Sequence, residues 1–422
     1  MNITYLVHGF PPFENAGTEQ HTGTLCTEMR NLGHTVTVIA ATRQVGRLHG
    51  EVIQDLWNGI DIFRIVNNIP ALALEQSERR PEIENIIARL IPTNTDILHI
   101  QHTQFLSSRV SFDGPKFWTL HDAWGWCPSG GTRLKNGTNL CRTPSPEDCL
   151  ECYAQWQPHL PRSGQFLLKL ASKVSPWISS QHLHKIWKKV PTTLRHPISI
   201  EKKTDMRSSV QALKNRNNAF TTLASECERI ISPSSFLMNL AKEQTWTNVE
   251  CITHGIPKTQ HWNTHQGGHG LLFVGSMVHH KGPQLVEQAY IKAFPHASVH
   301  IHFVGSGPVK VTLPHTPAVP NHTVYTKLQM ADALIMGSIW EENYPIILLE
   351  AKAVGCPIVA PRAGGIPEIV EDGVDGILYT LGDVNELADA LQRVLQKNWT
   401  VRPPKTSVTM ALEYESLYEG AL

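Results

Sequence analysis

Short apolar runs alternate with longer stretches of helical spacing over the first 125 residues of the chain. The apolar runs, each of strand length, are Ile3–His8, Thr35–Ala40, Asp61–Val66, Asp96–Gln101 and Lys116–Leu120. After the first run, Leu25, Met29 and Leu32 share one helical face, and Gly33 follows as a C-cap. Continuous apolar strands separated by helices predict a doubly wound α/β domain around a parallel sheet.

A second alternating series runs from about Cys227 to Lys397. Its predicted strands are Arg229–Ser232, Glu250–Thr253, Gly270–Gly275, Val299–Gly305, Val324–Thr326, Ala333–Met336, Pro357–Ala360 and Gly376–Tyr379. Its predicted helices are Gln284–Ala293, Ile346–Val354 and Val384–Gln396, and Thr409–Leu422 is predicted as a last amphipathic helix. We therefore predict two Rossmann-like domains, 1–225 and 226–400, a C-terminal segment 401–422, and an insertion at 127–200 that interrupts the first series.

Length and composition agree with two globular domains. The chain has 422 residues, of which 41% are apolar and 18% charged, and a domain holds about 100–200 residues. Lys+Arg and Asp+Glu both number 37, so overall charge gives no reason to expect nucleic acid as a partner. We find neither a secretory signal nor about 18 consecutive apolar residues. The expectation is a cytoplasmic protein that is soluble or lies peripherally on the inner face of the plasma membrane.

The segment from Glu342 to Glu350 carries the clearest candidate chemistry. Pro345 is suited to the first position of a helix and Asn343 to a nearby cap. Glu350 then lies inside an otherwise apolar helix, where an unpaired carboxylate is costly. A ligand rich in hydroxyl groups would satisfy both carboxylates. The alternative for Glu342 is a solvated side chain at a helix start, which explains Glu350 less well.

Other candidates follow predicted strands, where ligands bind in doubly wound sheets. Gly17 opens a helix, His121 ends the strand Lys116–Leu120, and Lys281 follows the strand Gly270–Gly275. Each has a plainer alternative: a turn glycine, a hydrogen-bonded core histidine and a solvated surface lysine.

These motifs resemble those of the retaining glycosyltransferases of family 4. Glu342 and Glu350 match the E-x7-E motif of that family, within the run Trp340-Glu-Glu-Asn-Tyr-Pro345. Gly364-Gly-Ile-Pro-Glu368 and Glu371-Asp-Gly-Val-Asp-Gly376 resemble its next two landmarks. His8-Gly-Phe-Pro-Pro12 with Gly17-Thr-Glu19 resembles its first loop, and Gly275-Ser276 with Lys281-Gly282 resembles its diphosphate clamp.

The resemblance implies a GT-B fold, in which two Rossmann-like domains face each other across a cleft and the last helix returns to the first domain. It implies a hexosyltransferase that moves a sugar from a UDP- or GDP-sugar to a glycan, lipid-linked or small-molecule acceptor with retention, and without a metal. Lys281 would stabilise the nucleotide diphosphate, Glu350 would hold the ribose, and Glu342 and His121 would hold the sugar. The implied donor-binding residues also include Gly17, Ser276, Asn343, Tyr344 and Pro345.

Three positions depart from the family pattern. Ala16 replaces a usual glycine, His254 replaces a common asparagine, and Ser276 stands where the clamp has an arginine. The missing cation predicts weaker donor binding unless Arg362, His279 or His280 compensates. One alternative is another GT-B enzyme, such as a nucleotide-sugar epimerase or a sugar phosphorylase. Ser276 also leaves open a non-catalytic binder of sugar nucleotides.

The insertion holds two further candidate features. Cys127, Cys141, Cys149 and Cys152 form a C-x13-C-x7-C-x2-C pattern that suits a structural zinc, with two disulfides as the alternative. The stretch Ala154–Ile200 contains basic and aromatic residues but no Asp or Glu. It predicts membrane-surface contact through residues 160–196, with an anionic acceptor or a solvated helix face as alternatives.

Overall fold

An eight-stranded sheet forms the first domain of the computed structural model, which describes residues 1–44, 46–68, 74, 78–156 and 203–422. In chain order the strands of this region are β1 (Asn2–Val7), β2 (Thr35–Thr42), β3 (Val52–Trp57), β4 (Ile60–Val66), β5 (Ile97–Ile100), β6 (Lys116–Thr119), the separate hairpin β7 (Leu134–Lys135) and β8 (Asn139–Leu140), β9 (Arg229–Ser232) and β10 (Val249–Cys251). The sheet order is β10-β9-β6-β5-β1-β2-β4-β3. All neighbouring strands are parallel except β3, which is antiparallel to β4.

Helices cover both faces of this sheet. They are α1 (Gly17–Asn31), α2 (Pro81–Leu90), α3 (Pro146–Trp156), α4 (Lys203–Glu226) and α5 (Ser235–Glu243). Leu25 and Met29 of α1 are fully buried against one face, as their spacing predicts. Ile83 and Ile87 of α2 pack against the other face together with Phe220 of α4. Apolar strands buried on both sides are what a parallel sheet requires.

The second domain is a six-stranded, wholly parallel sheet in the order β13-β12-β11-β14-β15-β16, where β11 is Leu271–Val274, β12 Ile301–Val304, β13 His315–Thr316, β14 Ala333–Ile335, β15 Ile358–Pro361 and β16 Gly376–Tyr379. Its helices are α6 (Pro283–Ala293), α7 (Asn321–Met330), α8 (Ile346–Val354), α9 (Ile366–Ile369) and α10 (Val384–Val394). Apolar clusters fill both faces of the sheet. The prediction of two Rossmann-like domains is confirmed.

The last helix, α11 (Ser407–Glu419), returns to the first domain and packs against α1. Tyr414 and Tyr418 are fully buried there. The Tyr414 hydroxyl lies 3.3 Å from the Thr119 hydroxyl, and the Tyr418 hydroxyl contacts the His99 ring and the Tyr5 hydroxyl. The predicted return of the C-terminal helix is therefore confirmed.

Two predictions about elements need correction. Arg229–Ser232 and Glu250–Thr253 were expected in the second domain, but β9 and β10 extend the first sheet, with Phe117 of β6 in register with Arg229. The first sheet therefore continues beyond the predicted boundary at 225/226, because apolar periodicity identifies a strand without saying which sheet it joins. Val324–Thr326 lies inside α7, where Val324 and Leu328 bury one helical face instead of forming a strand.

The insertion is described only in part. Residues 127–156 form the β7–β8 hairpin and α3. The basic stretch 160–196, with its predicted membrane contact, lies outside the described residues. Among the helices that the structure does describe, none has both the length and the apolar character that crossing a bilayer demands.

Candidate active site in the interdomain cleft

A cleft of about 630 Å³ separates the carboxyl ends of the strands in the two sheets. All nine residues that were predicted to bind donor or catalyse transfer line it: Gly17, His121, Ser276, Lys281, Glu342, Asn343, Tyr344, Pro345 and Glu350. Residues more than 300 positions apart in sequence thus meet in one cavity. This is the location at which open α/β sheets bind ligands.

The Glu342 carboxylate is buried and held by three donors. Its Oε1 atom accepts from the Lys281 ammonium at 2.7 Å, the Ser338 hydroxyl at 2.7 Å and the Trp340 indole at 2.8 Å. Burial alone would raise the pKa of Glu342, but the charge and hydrogen bond of Lys281 lower it below its ordinary value. The carboxylate is therefore ionised. Its other oxygen, Oε2, takes no part in these three bonds.

Lys281 reaches Glu342 because of the turn that follows it. Gly282 has φ +65°, and a Cβ atom there would lie 1.8 Å from the Gly337 carbonyl oxygen. Only glycine permits that approach between the two loops. Lys281 also lies 5.3 Å from the centre of the Trp340 ring, within range of a cation–π contact. The solvated-lysine alternative is therefore wrong, since this side chain is about 29% exposed and ion-paired.

Glu350 lies on α8 with its side chain almost wholly buried. Its Oε1 atom accepts from the Asn321 amide at 2.9 Å. Burial raises the pKa of Glu350 to about 7, although the Asn321 hydrogen bond opposes the shift. Near neutral pH this carboxyl group is therefore poised between its two protonation states, and a ligand that donates hydrogen bonds would favour the charged one.

The N-termini of α1 and α8 face each other across the cleft. A Cβ atom on Gly17, the first residue of α1, would lie 3.9 Å from Ile346, the first residue of α8. Helix N-termini present unpaired N–H groups and a partial positive charge. Together with Lys281 they form a surface suited to an anionic ligand such as a diphosphate. Pro345 is the N-cap of α8, one position before the predicted one.

Asn343 joins the two domains instead of capping α8 as predicted. Its amide donates to the His121 backbone carbonyl at 3.1 Å, and its side-chain oxygen accepts from the Ser234 hydroxyl. The Nε2 atom of His121 in turn lies 2.9 Å from the Gln101 side-chain oxygen. Burial and the neighbouring His21 and His254 keep the pKa of His121 well below its usual range. The imidazole is therefore neutral.

The glycine pair at 364–365 allows a second loop to support the Glu342 loop. Cβ atoms on Gly364 and Gly365 would lie 2.1 Å and 1.8 Å from the carbonyl oxygens of Glu342 and Asn343. Glu368, three residues later, accepts from the backbone N–H groups of Ser235 and Phe236 at 2.7 and 2.8 Å, at the start of α5 in the first domain. The motif therefore shapes the cleft wall and fixes a domain contact.

The cation missing at Ser276 is not replaced by the predicted candidates. Ser276 lines the cleft, but Arg362 pairs with Asp372 outside it. His279 and His280 belong to a 3-10 turn before Gly282 and do not line the cavity. Lys281 is the single Lys or Arg among the residues described around the cavity. Its charge therefore matters more than in a two-cation clamp.

The four cysteines of the insertion are free thiols. Burial and the neighbouring Cys127, Cys141 and Cys152 raise the pKa of Cys149 to about 12. Over the ranges that the structure describes, no three or more His, Cys, Asp or Glu side chains are arranged to hold a metal ion. The structure therefore does not assemble the tetrahedral set of thiolates that the zinc expectation requires.

The cysteine-bearing hairpin contacts the loop that carries Glu342. Arg133, just before β7, donates to the Glu341 carboxylate at 3.0 Å, and Arg142 lies 3.6 Å from its other oxygen. Both the Arg133 and Glu341 side chains are largely buried. An insertion of the first domain thus pairs by charge with the second domain, one residue away from Glu342.

We expect Arg133→Ala and Glu341→Ala to be coupled by about 1 kcal/mol in a double-mutant cycle on the free energy of unfolding, because they share a partly buried ion pair. The charge-swapped variant Arg133→Glu with Glu341→Arg should recover part of the loss. At 1 M salt the coupling should shrink, since the Debye length falls to about 3 Å. Strictly additive effects of the two alanine changes would contradict a contact between the domains at this point.

Known proteins resemble this chain in sequence and in fold. Residues 268–397 match the family model described as Glycosyl transferases group 1, and this range contains Lys281, Glu342 and Glu350. The pneumococcal O-GlcNAc transferase GtfA, solved with UDP and GlcNAc, aligns over 100% of this chain and 99% of its own, with a TM-score of 0.62 at 9% identity. The chain has the GT-B fold.

Curated relatives match shorter stretches of this GT-B chain. N-acetyl-alpha-D-glucosaminyl L-malate synthase of Bacillus anthracis is 29% identical over 36% of this chain and 45% of its own length. D-inositol 3-phosphate glycosyltransferase of Thermobifida fusca is 34% identical over 19% of each chain. This chain therefore spans less than half the length of either relative.

The GT-B cleft also contains residues that sequence reasoning did not select. Ser338 and Asn321 hold the two carboxylates, Glu342 and Glu350. Ser338 follows the predicted strand Ala333–Met336, so its position after a strand was a usable signal. Asn321 begins α7, which was predicted in part as a strand, and that error concealed it.

Proposed function

We propose that the protein is a retaining glycosyltransferase that moves a sugar from a nucleotide diphosphate donor, UDP- or GDP-linked, to a hydroxyl group of an acceptor. The observation that carries the proposal is the meeting of Lys281, the buried Glu342 and Glu350, and two helix N-termini in one interdomain cleft. The solved structure of the GT-B neighbour GtfA contains UDP and GlcNAc, and this supports a sugar nucleotide as donor.

The donor would lie along the second-domain wall. Glu350 would accept hydrogen bonds from the ribose hydroxyls, because its buried carboxylate has one amide donor and a pKa near neutrality. The diphosphate would lie against the N-termini of α1 and α8 and the Lys281 ammonium. Glu342 and the neutral His121 would hold the sugar hydroxyls.

Transfer would replace one bond at the anomeric carbon by another. The acceptor oxygen bonds to this carbon as its bond to the diphosphate oxygen breaks, and the acceptor proton leaves with the nucleotide diphosphate. Negative charge grows on the departing diphosphate, so Lys281 and the two helix ends favour the transition state over the bound donor. Retention of configuration is proposed from the family 4 resemblance of the Glu342–Glu350 motif.

A donor screen tests the proposal. Thermal shifts are measured with UDP-, GDP- and ADP-sugars, and the product of any accepted donor is analysed for its anomeric configuration. We expect one donor class to raise the unfolding temperature, because a ligand that binds only the folded state stabilises it by about 2.7 kcal/mol at 100 times Kd. No shift with any sugar nucleotide, or turnover without an acceptor, would refute the proposal.

A further inference from the structure

The first-domain wall of the cleft carries a group of acidic and imidazole side chains that the donor proposal does not use. His8 follows β1, Glu19 lies in the first turn of α1, His102 follows β5, and Asp122 follows β6. His8, Glu19 and Asp122 line the cleft opposite the second domain. The topology thus places three titratable groups where an acceptor would approach the donor, with the buried His102 directly behind them.

Glu19 and His8 form a carboxylate–imidazole pair with unused hydrogen-bonding capacity. Glu19 Oε1 lies 3.0 Å from His8 Nε2, and the Glu19 side chain is only 5% exposed. Burial alone would raise the pKa of Glu19, but the hydrogen bond and charge of His8 lower it, so the carboxylate is ionised. Glu19 Oε2 and His8 Nδ1 are both buried without a hydrogen-bond partner in the described structure.

An ionised oxygen that is buried beside a cleft without a donor is costly, typically by more than a neutral group would be. Native proteins rarely retain such an atom unless a ligand or solvent supplies the missing bond. A hydroxyl group is the simplest ligand that donates one. Because Glu19 lines the cleft, a hydroxyl-bearing molecule that reaches Oε2 there would supply the missing bond.

Asp122 extends the same wall, and the buried His102 supports it from behind. The Gln104 N–H donates to His102 Nδ1 at 3.1 Å, so the ring proton is on Nε2, which lies 3.4 Å from Asp122 Oδ2. The rings of His8 and His102 meet edge to face, with centroids 4.3 Å apart. The two carboxylate–imidazole pairs are thus adjacent and mutually fixed.

The charge of this wall limits what can bind there. In the part of the chain that the structure describes, the first-domain side of the cleft presents two carboxylates, imidazoles and amides, but no Lys or Arg. The Lys281 cation comes from the second domain and already pairs with Glu342. A phosphate or carboxylate on the acceptor would meet Asp122 as a like charge, and Glu19 as a second one wherever His8 is not protonated. Repulsion between like charges is strong in a partly water-excluded site.

We propose that Glu19 and His8 form the acceptor subsite and that they select a neutral, hydroxyl-rich, sugar-like acceptor over a phosphorylated or carboxylated one. This assignment rests on the proposed glycosyl transfer, since it names the acceptor class of the same cleft. Glu19 Oε2 accepts from one acceptor hydroxyl, and His8 holds the Glu19 carboxylate in place.

The test compares matched acceptors with the donor found by the thermal-shift screen. Glucose, N-acetylglucosamine and inositol are each paired with their monophosphates, and glucuronate with methyl glucoside. Release of nucleotide diphosphate is measured for each. We expect kcat/KM for the neutral member of at least one pair to exceed that of its charged partner by about 100-fold or more. The reason is that the charged group of the acceptor would have no opposite charge to pair with in the subsite.

Glu19→Gln and His8→Asn identify the residues responsible. We expect Glu19→Gln to raise the KM for the neutral acceptor by about 10- to 100-fold, the range for losing a charged hydrogen bond, and to narrow the neutral-to-charged ratio. The donor-induced thermal shift should remain in both variants. Glu243→Gln, an exposed carboxylate at the end of α5, and His296→Asn, an exposed imidazole, serve as matched controls.

Two results would overturn the assignment while leaving the donor site intact. One is a bound donor with preferred turnover of the charged acceptors, or with no turnover of any neutral one. The other is an unchanged KM in both Glu19→Gln and His8→Asn. If the wild-type protein bound no sugar nucleotide, the proposed glycosyl transfer itself would be refuted, so the two failures are distinguishable.

Discussion

Replacing Glu350 by glutamine is expected to weaken sugar-nucleotide binding by about 10- to 150-fold, the range for one hydrogen bond to a charged group. The same change should leave the folded protein as stable as the wild type, or more stable, above pH 7. The reason is that the buried carboxylate has one amide partner, Asn321, and a pKa raised to about 7 by burial. Removing its charge removes a desolvation cost, and it replaces one of the two acceptor oxygens available to the ribose by an amide donor.

The pH dependence follows from that raised pKa. Between the ordinary value of about 4.3 and about 7, the folded protein binds more protons than the unfolded chain. Wild-type stability attributable to this group therefore falls as pH rises through that window, by roughly 3–4 kcal/mol. Donor binding favours the ionised form, so affinity should fall as pH drops below about 7.

Isothermal titration in buffers of different ionisation enthalpy checks this prediction. Wild-type protein should release up to about half a proton on binding the donor near pH 7, where Glu350 is half protonated. Glu350→Gln should release less. Glu243→Gln, an exposed carboxylate on α5, is the matched control, and Glu350→Ala should abolish the donor-induced thermal shift. Parallel loss of stability and affinity in Glu350→Gln at pH 8 would show a structural role instead.

Lys281→Ala is expected to lower kcat/KM by about 10²- to 10³-fold, the usual effect of removing one group that stabilises transition-state charge. Because position 276 is a serine, Lys281 is the single Lys or Arg among the residues described around the cleft. The change should also destabilise the fold by about 3–5 kcal/mol, because it leaves the buried Glu342 without its opposite charge. Kinetic assay and chemical unfolding measure the two effects separately.

A double variant separates these two roles of Lys281. Lys281→Met with Glu342→Gln removes both charges, so stability should largely return while turnover stays low. Lys242→Ala, an exposed lysine in the last turn of α5, is the control. The Glu342 pKa lies below its usual range in the wild type, so the stability that the ion pair contributes should be present at neutral pH and lost on acidification. Full activity in Lys281→Ala would contradict the proposed diphosphate site.

Much of the architecture was accessible from local sequence patterns. Apolar runs of strand length and helical spacing depend on neighbouring residues, so they identified β1, β2, β4, β11 and α8 to within a few positions. The Glu342–Glu350 spacing and the motifs around it predicted the GT-B fold and a donor site, and the structure brings those residues together in one cleft.

Other features depend on pairing between distant segments. No local pattern shows that β9 and β10 join the first sheet, that Asn343 reaches across to the His121 carbonyl, or that Arg133 pairs with Glu341. The edge strand β3 was missed because it is half exposed and antiparallel. Its alternating exposure gives a weaker apolar run than the buried parallel strands do.

The sequence by itself therefore determined the fold class and selected residues that line the cleft, since apolar period and motif spacing are properties of contiguous chain. Only the tertiary structure decided which charges meet: Lys281 with Glu342, Asn321 with Glu350, and His8 with Glu19. The physical reason is that ionisation and hydrogen bonding depend on burial and on partners within a few ångströms. These are set by how the two sheets close on each other.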